Sequence, residues 1–144
     1  MTRGAGERGT ILVEAVVLVA LLSLPVFYLV ATLARLQAGA YAVSAAAREG
    51  GRAYVTAAQA DLAPGRAVAA AGLVLDGHGF TPEEGTLMFT CSEDPCLTPG
   101  STVRVDSTVQ VSLPLIPDFM AGIVPTQIEL VSSHVEAVEE FRER

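Results

Sequence analysis

The strongest constraint on this chain is a run of twenty uncharged residues, Ala15 to Ala34. At about 1.5 Å per residue, a helix of that length reaches about 30 Å, the thickness of a bilayer's hydrocarbon core. The apolar core of a cleaved secretion signal is shorter, about 7–15 residues. Here the run continues through Phe27, Tyr28, Leu29 and Leu33. We therefore expect a membrane-spanning helix. Pro25 lies mid-run. In water it would cost a helix about 3 kcal/mol. In a membrane helix, local adjustment re-satisfies the freed backbone groups and leaves a kink.

The residues before the run are ordered unusually. A leader bearing Arg3 and Arg8 ends in Gly9, then come Thr10-Ile11-Leu12-Val13, and then a single carboxylate, Glu14. A carboxylate at the mouth of a spanning helix costs up to a few kcal/mol if it sits deep. It either snorkels to the interface or is retained to pair with a cation. The arginines do not settle orientation, because Arg35, Arg48 and Arg52 follow the span. Gly4 to Gly9 spells G-x-G-x-x-G, but a dinucleotide fingerprint needs a strand before it and a βαβ unit around it. It carries no weight here.

Little in the remainder supports catalysis. Net charge is −7 and lysine is absent, which argues against nucleic-acid binding. The chain has two cysteines and two histidines, with no nucleophile–base pattern, paired-carboxylate motif or metal quartet. We expect no enzyme, no cofactor and no metal. Cys91 and Cys96 bracket a four-residue turn, Ser92-Glu93-Asp94-Pro95, and can close a small disulfide loop. Two free thiols are the alternative; zinc lacks ligands. A disulfide implies an oxidising location outside the cytosol.

Periodicity then outlines the fold. Leu36, Ala40, Val43, Ala47, Gly50, Tyr54 and Ala57 recur at spacings of four and three, a seam on one helix face. An unbroken helix from Thr10 to Ala60 would be about 75 Å long. A break is predicted at Ala63-Pro64-Gly65, then a short helix to about Leu75 with Ala67, Val68, Ala71 and Val74 or Leu75 inward, and a turn at Asp76–Gly79 with His78 exposed. Glu49 and Arg52 can pair at i,i+3. Thr86–Cys91 reads as a strand. Thr102–Leu113 alternates, with Val103, Val105, Val109, Val111 and Leu113 on the buried face. Pro114–Met120 interrupts; its apolar residues are expected in the domain's own core, with a membrane surface or a partner as alternatives. Thr126–Phe141 closes the sheet. Ile128 and Leu130 lie in one phase and Val131, Val135 and Ala137 in the other, which predicts a bulge between them. The fold class is α+β: a long N-terminal helix, first transmembrane and then exported, on a small antiparallel sheet.

Gly9, a fifth-following Glu14 and an apolar helix resemble the prepilin-peptidase site of type IV pilin-like proteins. Ala45-Ala46-Ala47-Arg48-Glu49-Gly50-Gly51-Arg52-Ala53 resembles the Ala-Ala-Arg-Glu-Gly-Ala-Arg stretch of TadE-like pseudopilins, the minor pilins of tight-adherence pili. The Cys91…Cys96-Leu97-Thr98-Pro99-Gly100 segment and the β-rich end are similar to actinobacterial members. The resemblance implies a pilin-like fold and four parts: a cleaved basic leader 1–9, a transmembrane helix 10–36, its exported continuation 37–62, and an exported α+β domain 63–144. It implies cutting after Gly9, with the new Thr10 amine neutralised by a neighbouring copy's Glu14. The implied partners are a prepilin peptidase, other pilin and pseudopilin subunits, the pilus assembly machinery and membrane lipid. The implied location is the cytoplasmic membrane, single-pass with the N-terminus inside, and then a surface pilus. Thr10 stands where type IV pilins commonly have phenylalanine, and Ala15 where major tight-adherence pilins have tyrosine; this favours a minor subunit. The alternatives are a single-pass anchored protein whose exported domain binds a partner, and a secreted protein cut near Ala38-Gly39-Ala40.

Overall fold

One helix runs through more than a third of the chain. α1 spans Gly6–Val55, 50 residues, and continues unbroken through Pro25. The computed structural model describes residues 6–114, 116, 122–123 and 125–141, with side chains from Thr10 onward. After α1 come α2 (Ala63–Gly77), a 3₁₀ turn (Pro82–Glu84), β1 (Gly85–Cys91), β2 (Thr102–Ser112) and β3 (Gln127–Ala137). The three strands form one antiparallel sheet in the order β1-β2-β3. The two helices cover one of its faces. The arrangement is α+β, with a long apolar helix of the length and composition that cross a membrane.

β2 supplies the centre of the core. Val103, Val105, Val109 and Val111 are fully buried, as the alternation predicts, and Ser107 shares their face. Above them lies a two-row helix face. Val43, Ala47, Gly50, Tyr54 and Ala57 from the predicted seam are buried, but Ala40 is exposed. A second row, Gly39, Ala42, Ala46 and Gly51, is buried beside it. The core-facing stripe of a globular helix is wider than a coiled-coil seam, so a strict alternation of four and three captures only part of it.

α1 and β2 are nearly aligned and run in opposite directions. A methyl placed at Gly39 would meet Val111, and one at Gly51 would meet Val105. The helix residues are twelve apart, about 18 Å. The strand residues are six apart, about 20 Å. The two axes therefore stay in step over the whole contact.

Three expectations need correction. α1 ends at Val55, not Ala60: the Thr56 amide (3.1 Å) and hydroxyl (2.7 Å) both donate to the Arg52 carbonyl, and the Ala57 amide turns back to Tyr54. These bonds satisfy the terminal carbonyls and stop the ladder. Ala63-Pro64-Gly65 is the first turn of α2 rather than a break, since proline suits a helix start. Ala63, Ala67, Ala71 and Leu75 face inward, while Val68 is exposed. Finally, β3 has no bulge. Its pairing with β2 runs from Thr102↔Ala137 to Ser112↔Gln127 without a shift. Its half-buried face is Ile128, Leu130, Ser132, His134 and Glu136, and Val131 and Val135 point to solvent. In the connector, Ile116 is half-covered; Leu115, Phe119 and Met120 lie outside the described residues.

Candidate functional site

Thr10 and Glu14 are exposed near the N-terminal end of α1. The helix already includes Gly6 and Gly9, so the Gly9–Thr10 bond lies in its opening turns. Two glycines there each cost about 1 kcal/mol relative to alanine. The first four amides of any helix also lack intrahelical acceptors. This end is thus the easiest part of α1 to unwind. Glu14 is exposed and stands one turn beyond Thr10 on the same face. Leader residues 1–5 lie outside the described residues.

The Arg-Glu-Gly stretch divides by face. Arg48, Glu49 and Arg52 are exposed, while Gly50 is buried against α2 and Gly51 under the sheet. At Gly50 an added methyl would lie 3.6 Å from the Ala67 carbonyl oxygen and 3.7 Å from Ala71 Cβ, so α1 passes close to α2 there, with the tip of the Leu87 side chain, Cδ2, 2.8 Å away. The Glu49–Arg52 pair does not form. Among the described residues the arginine–carboxylate ion pair is Arg104–Asp106. Arg48 instead donates to the Ser44 hydroxyl at 3.1 Å. An exposed pair at this spacing is worth only a few tenths of a kcal/mol, too little to order two side chains.

Two residues matter that periodicity did not single out. Arg35, the first charge after the run, donates to the Gly79 carbonyl at 3.1 Å and lies 4.4 Å from the Phe80 ring centroid. It thereby clips the corner between α2 and β1 to α1. Its place directly after a long uncharged run was the available signal. Gly39, inside the small-residue tract resembling a cleavage site, is instead buried mid-helix. A methyl there would lie 2.6 Å from Val111 Cγ2 and 3.0 Å from Leu130 Cδ1.

Cys91 and Cys96 are joined in a disulfide. Closing so short a loop is worth about 2 kcal/mol through the unfolded chain. The bridge sits on the core: the Tyr54 hydroxyl approaches Cys91 Sγ at 3.9 Å, and the Tyr54 and Phe89 rings lie 4.9 Å apart. On the inner face of β3, His134 Nε2 lies 2.8 Å from Glu136 Oε2 beside Gly51.

The outer sheet face is polar at its centre. Arg104 reaches Asp106 and donates to Ser133 at 2.8 Å, and the Ser133 hydroxyl donates to Asp106. That hydroxyl, and after it Arg104, hold the Asp106 carboxyl below its ordinary value of 3.8. A depressed folded pKa stabilises the fold above the unfolded value and loses that contribution as pH falls through the folded one. Asp106→Asn is therefore expected to be less stable than the parent at neutral pH. The gap should close as pH drops below 3.8, as thermal melts across pH 2–7 would show (about the range over which a carboxylate titrates).

No protein-family model, curated protein or solved structure matches the chain.

Proposed function

We propose that the chain is a TadE-like minor pilin subunit taking part in assembly of a tight-adherence type IV pilus. The observation carrying this reading is the continuity of α1: the Gly9-x₄-Glu14 site, the apolar run and the domain-bearing segment belong to one helix. The chain enters the cytoplasmic membrane with its N-terminus inside and its disulfide-bearing domain outside. A prepilin peptidase unwinds the glycine-bearing first turns and cuts after Gly9. The Thr10 amine then becomes a cation at the depth of Glu14, and in a helix stack a neighbouring copy's carboxylate neutralises it. The chain acts as a subunit and not as a catalyst; its partners are the peptidase, other subunits, the assembly machinery and lipid.

The deciding experiment is the intact mass and terminal peptide of the membrane-extracted native protein. We expect a start at Thr10, and Gly9→Val should return it to the full precursor, because a branched side chain replaces the small residue at the cut. A native start at Met1 or Thr2 would overturn the filament reading and leave a single-pass anchored protein whose exported domain binds a partner.

A further inference from the structure

The helix layer carries a groove that the domain's own side chains leave open. Across it, Glu49, Arg52 and Ala53 of α1 face Arg66, Ala69 and Leu73 of α2. Each set recurs at spacings of three and four, so each lies on one helix face. The groove holds about 490 Å³, against roughly 30 Å³ for one water, so a large side chain fits. Its floor is low because alanines line it. Leu73 is 77 % exposed, more than any large apolar side chain of the uncharged run. The Arg52 and Arg66 side chains make no ion pair or hydrogen bond among the described residues. Two guanidiniums against one carboxylate leave the groove positive.

A matching surface follows β3. Val138 is buried, its amide donating to the Ser101 carbonyl at 2.8 Å and its carbonyl accepting from the Gly100 amide at 3.2 Å. Glu139, Glu140 and Phe141 then stand in solvent, Phe141 at 94 % exposure. Two carboxylates and one ring answer two guanidiniums and one leucine. The same copy's tail does not reach. Three residues beyond Val138 extend about 10 Å. α1 lies over β2 and β3 with α2 toward β1, so a helix about 10–12 Å across stands between the tail and the groove. A second copy has no such obstacle. Glu139 borders the same recess as Val55 and Ala58, so the tail starts level with the end of α1. The groove runs from Glu49 to Thr56. Copies with parallel α1 helices therefore bring tail and groove together with an axial stagger of about 10 Å.

We infer that the groove between α1 and α2 is the docking site for a second copy, whose Glu139-Glu140-Phe141 segment enters it. Phe141 lies against Leu73 and the alanine floor, and the two carboxylates meet Arg52 and Arg66. The two surfaces differ, so the contact is heterologous and can repeat from copy to copy. It goes beyond the subunit reading above and needs neither cutting after Gly9 nor a bilayer.

The chain has no tryptophan, and its two cysteines are bonded to each other. Full-length Phe141→Trp in detergent micelles would be mixed with full-length Ala69→Cys carrying a nitroxide, a short-range quencher of tryptophan emission. Emitter and quencher sit on different chains, so only contact between copies registers. Met88→Cys with the same label, exposed on the outer sheet face, is the reference. We expect the label at position 69 to quench the emission and the label at position 88 to leave it unchanged. Arg66→Glu in the labelled chain should weaken the contact about fivefold, and adding Glu140→Arg to the tryptophan chain should restore it. No quenching from position 69, equal quenching from both positions, or quenching indifferent to Arg66→Glu would each overturn the inference. The residue at which the native chain starts is read separately, so docking and processing stand or fall independently.

Discussion

Gly39→Val is expected to destabilise the domain by about 3 kcal/mol, at the upper end of the cost of overpacking a core. Even the first added carbon would sit 2.6 Å from Val111 Cγ2 and 3.0 Å from Leu130 Cδ1. Val111 cannot swing away, since a β-branched side chain in a strand is stiff at χ1. The backbone of α1 would have to lift, and in a two-layer fold that loosens β2 and β3 together. Amide hydrogen exchange of the full chain in detergent micelles measures this: β2 protection should fall about a hundredfold. Pairing Gly39→Ala with Val111→Ala separates sterics from helix propensity. Alanine at 39 gains about 1 kcal/mol as a helix former in the single and the double variant alike, so that contribution cancels; because Val111→Ala removes the methyl that the new side chain would meet, the double variant should be more stable than the sum of the single ones. Additive effects would show that the contact does not limit the helix–sheet distance.

Glu14→Ala is expected to leave cutting intact and to abolish entry into filaments. Glu14 is exposed, one turn from Thr10, and outside the domain's footprint, so removing it should not disturb the fold. In an apolar helix stack the Thr10 amine would be left without a counter-charge. Breaking a buried pair from one side costs about 3–5 kcal/mol, more than a hundredfold in assembly. Glu14→Gln should fail likewise, because an amide keeps the shape but does not neutralise. Quantifying the processed chain in pilus and membrane fractions tests both. Normal pilus content with either variant would remove Glu14 from the assembly mechanism.

The long apolar helix, the disulfide and the central strand were legible because each carries a high-contrast signal: twenty residues without charge, two thiols around a turn, and valines at alternate positions. The inner faces of α1 and β3 were legible only in part. Gly39, Ala42, Ala46 and Gly51 carry almost no hydrophobic signal, yet small residues let the helix approach the sheet. On β3 the pattern misled because Ser132, His134 and Glu136 turn toward the helix, while Val131 and Val135 turn to solvent. Those polar residues are half-buried near the margin, where His134 and Glu136 satisfy one another. Ser107 is a related case: it is fully buried beneath small residues of α1, with no partner for its hydroxyl among the described residues. Of the proposed processing site, the sequence supplies the residues, and Gly9, Thr10 and Glu14 all fall within α1.

The alignment of α1 with β2 also has a mechanical side. From Leu36 to Val55 the two layers share about 28 Å of contact, and the strand lies along the helix rather than across it. Tension applied to the N-terminal end of α1 would load that contact in shear, so its side-chain pairs would have to yield together rather than peel apart one by one. With Arg35 clipped to Gly79, slack between the rod and its cargo is minimal. Whatever draws the helix along its axis would move the domain by nearly the same distance.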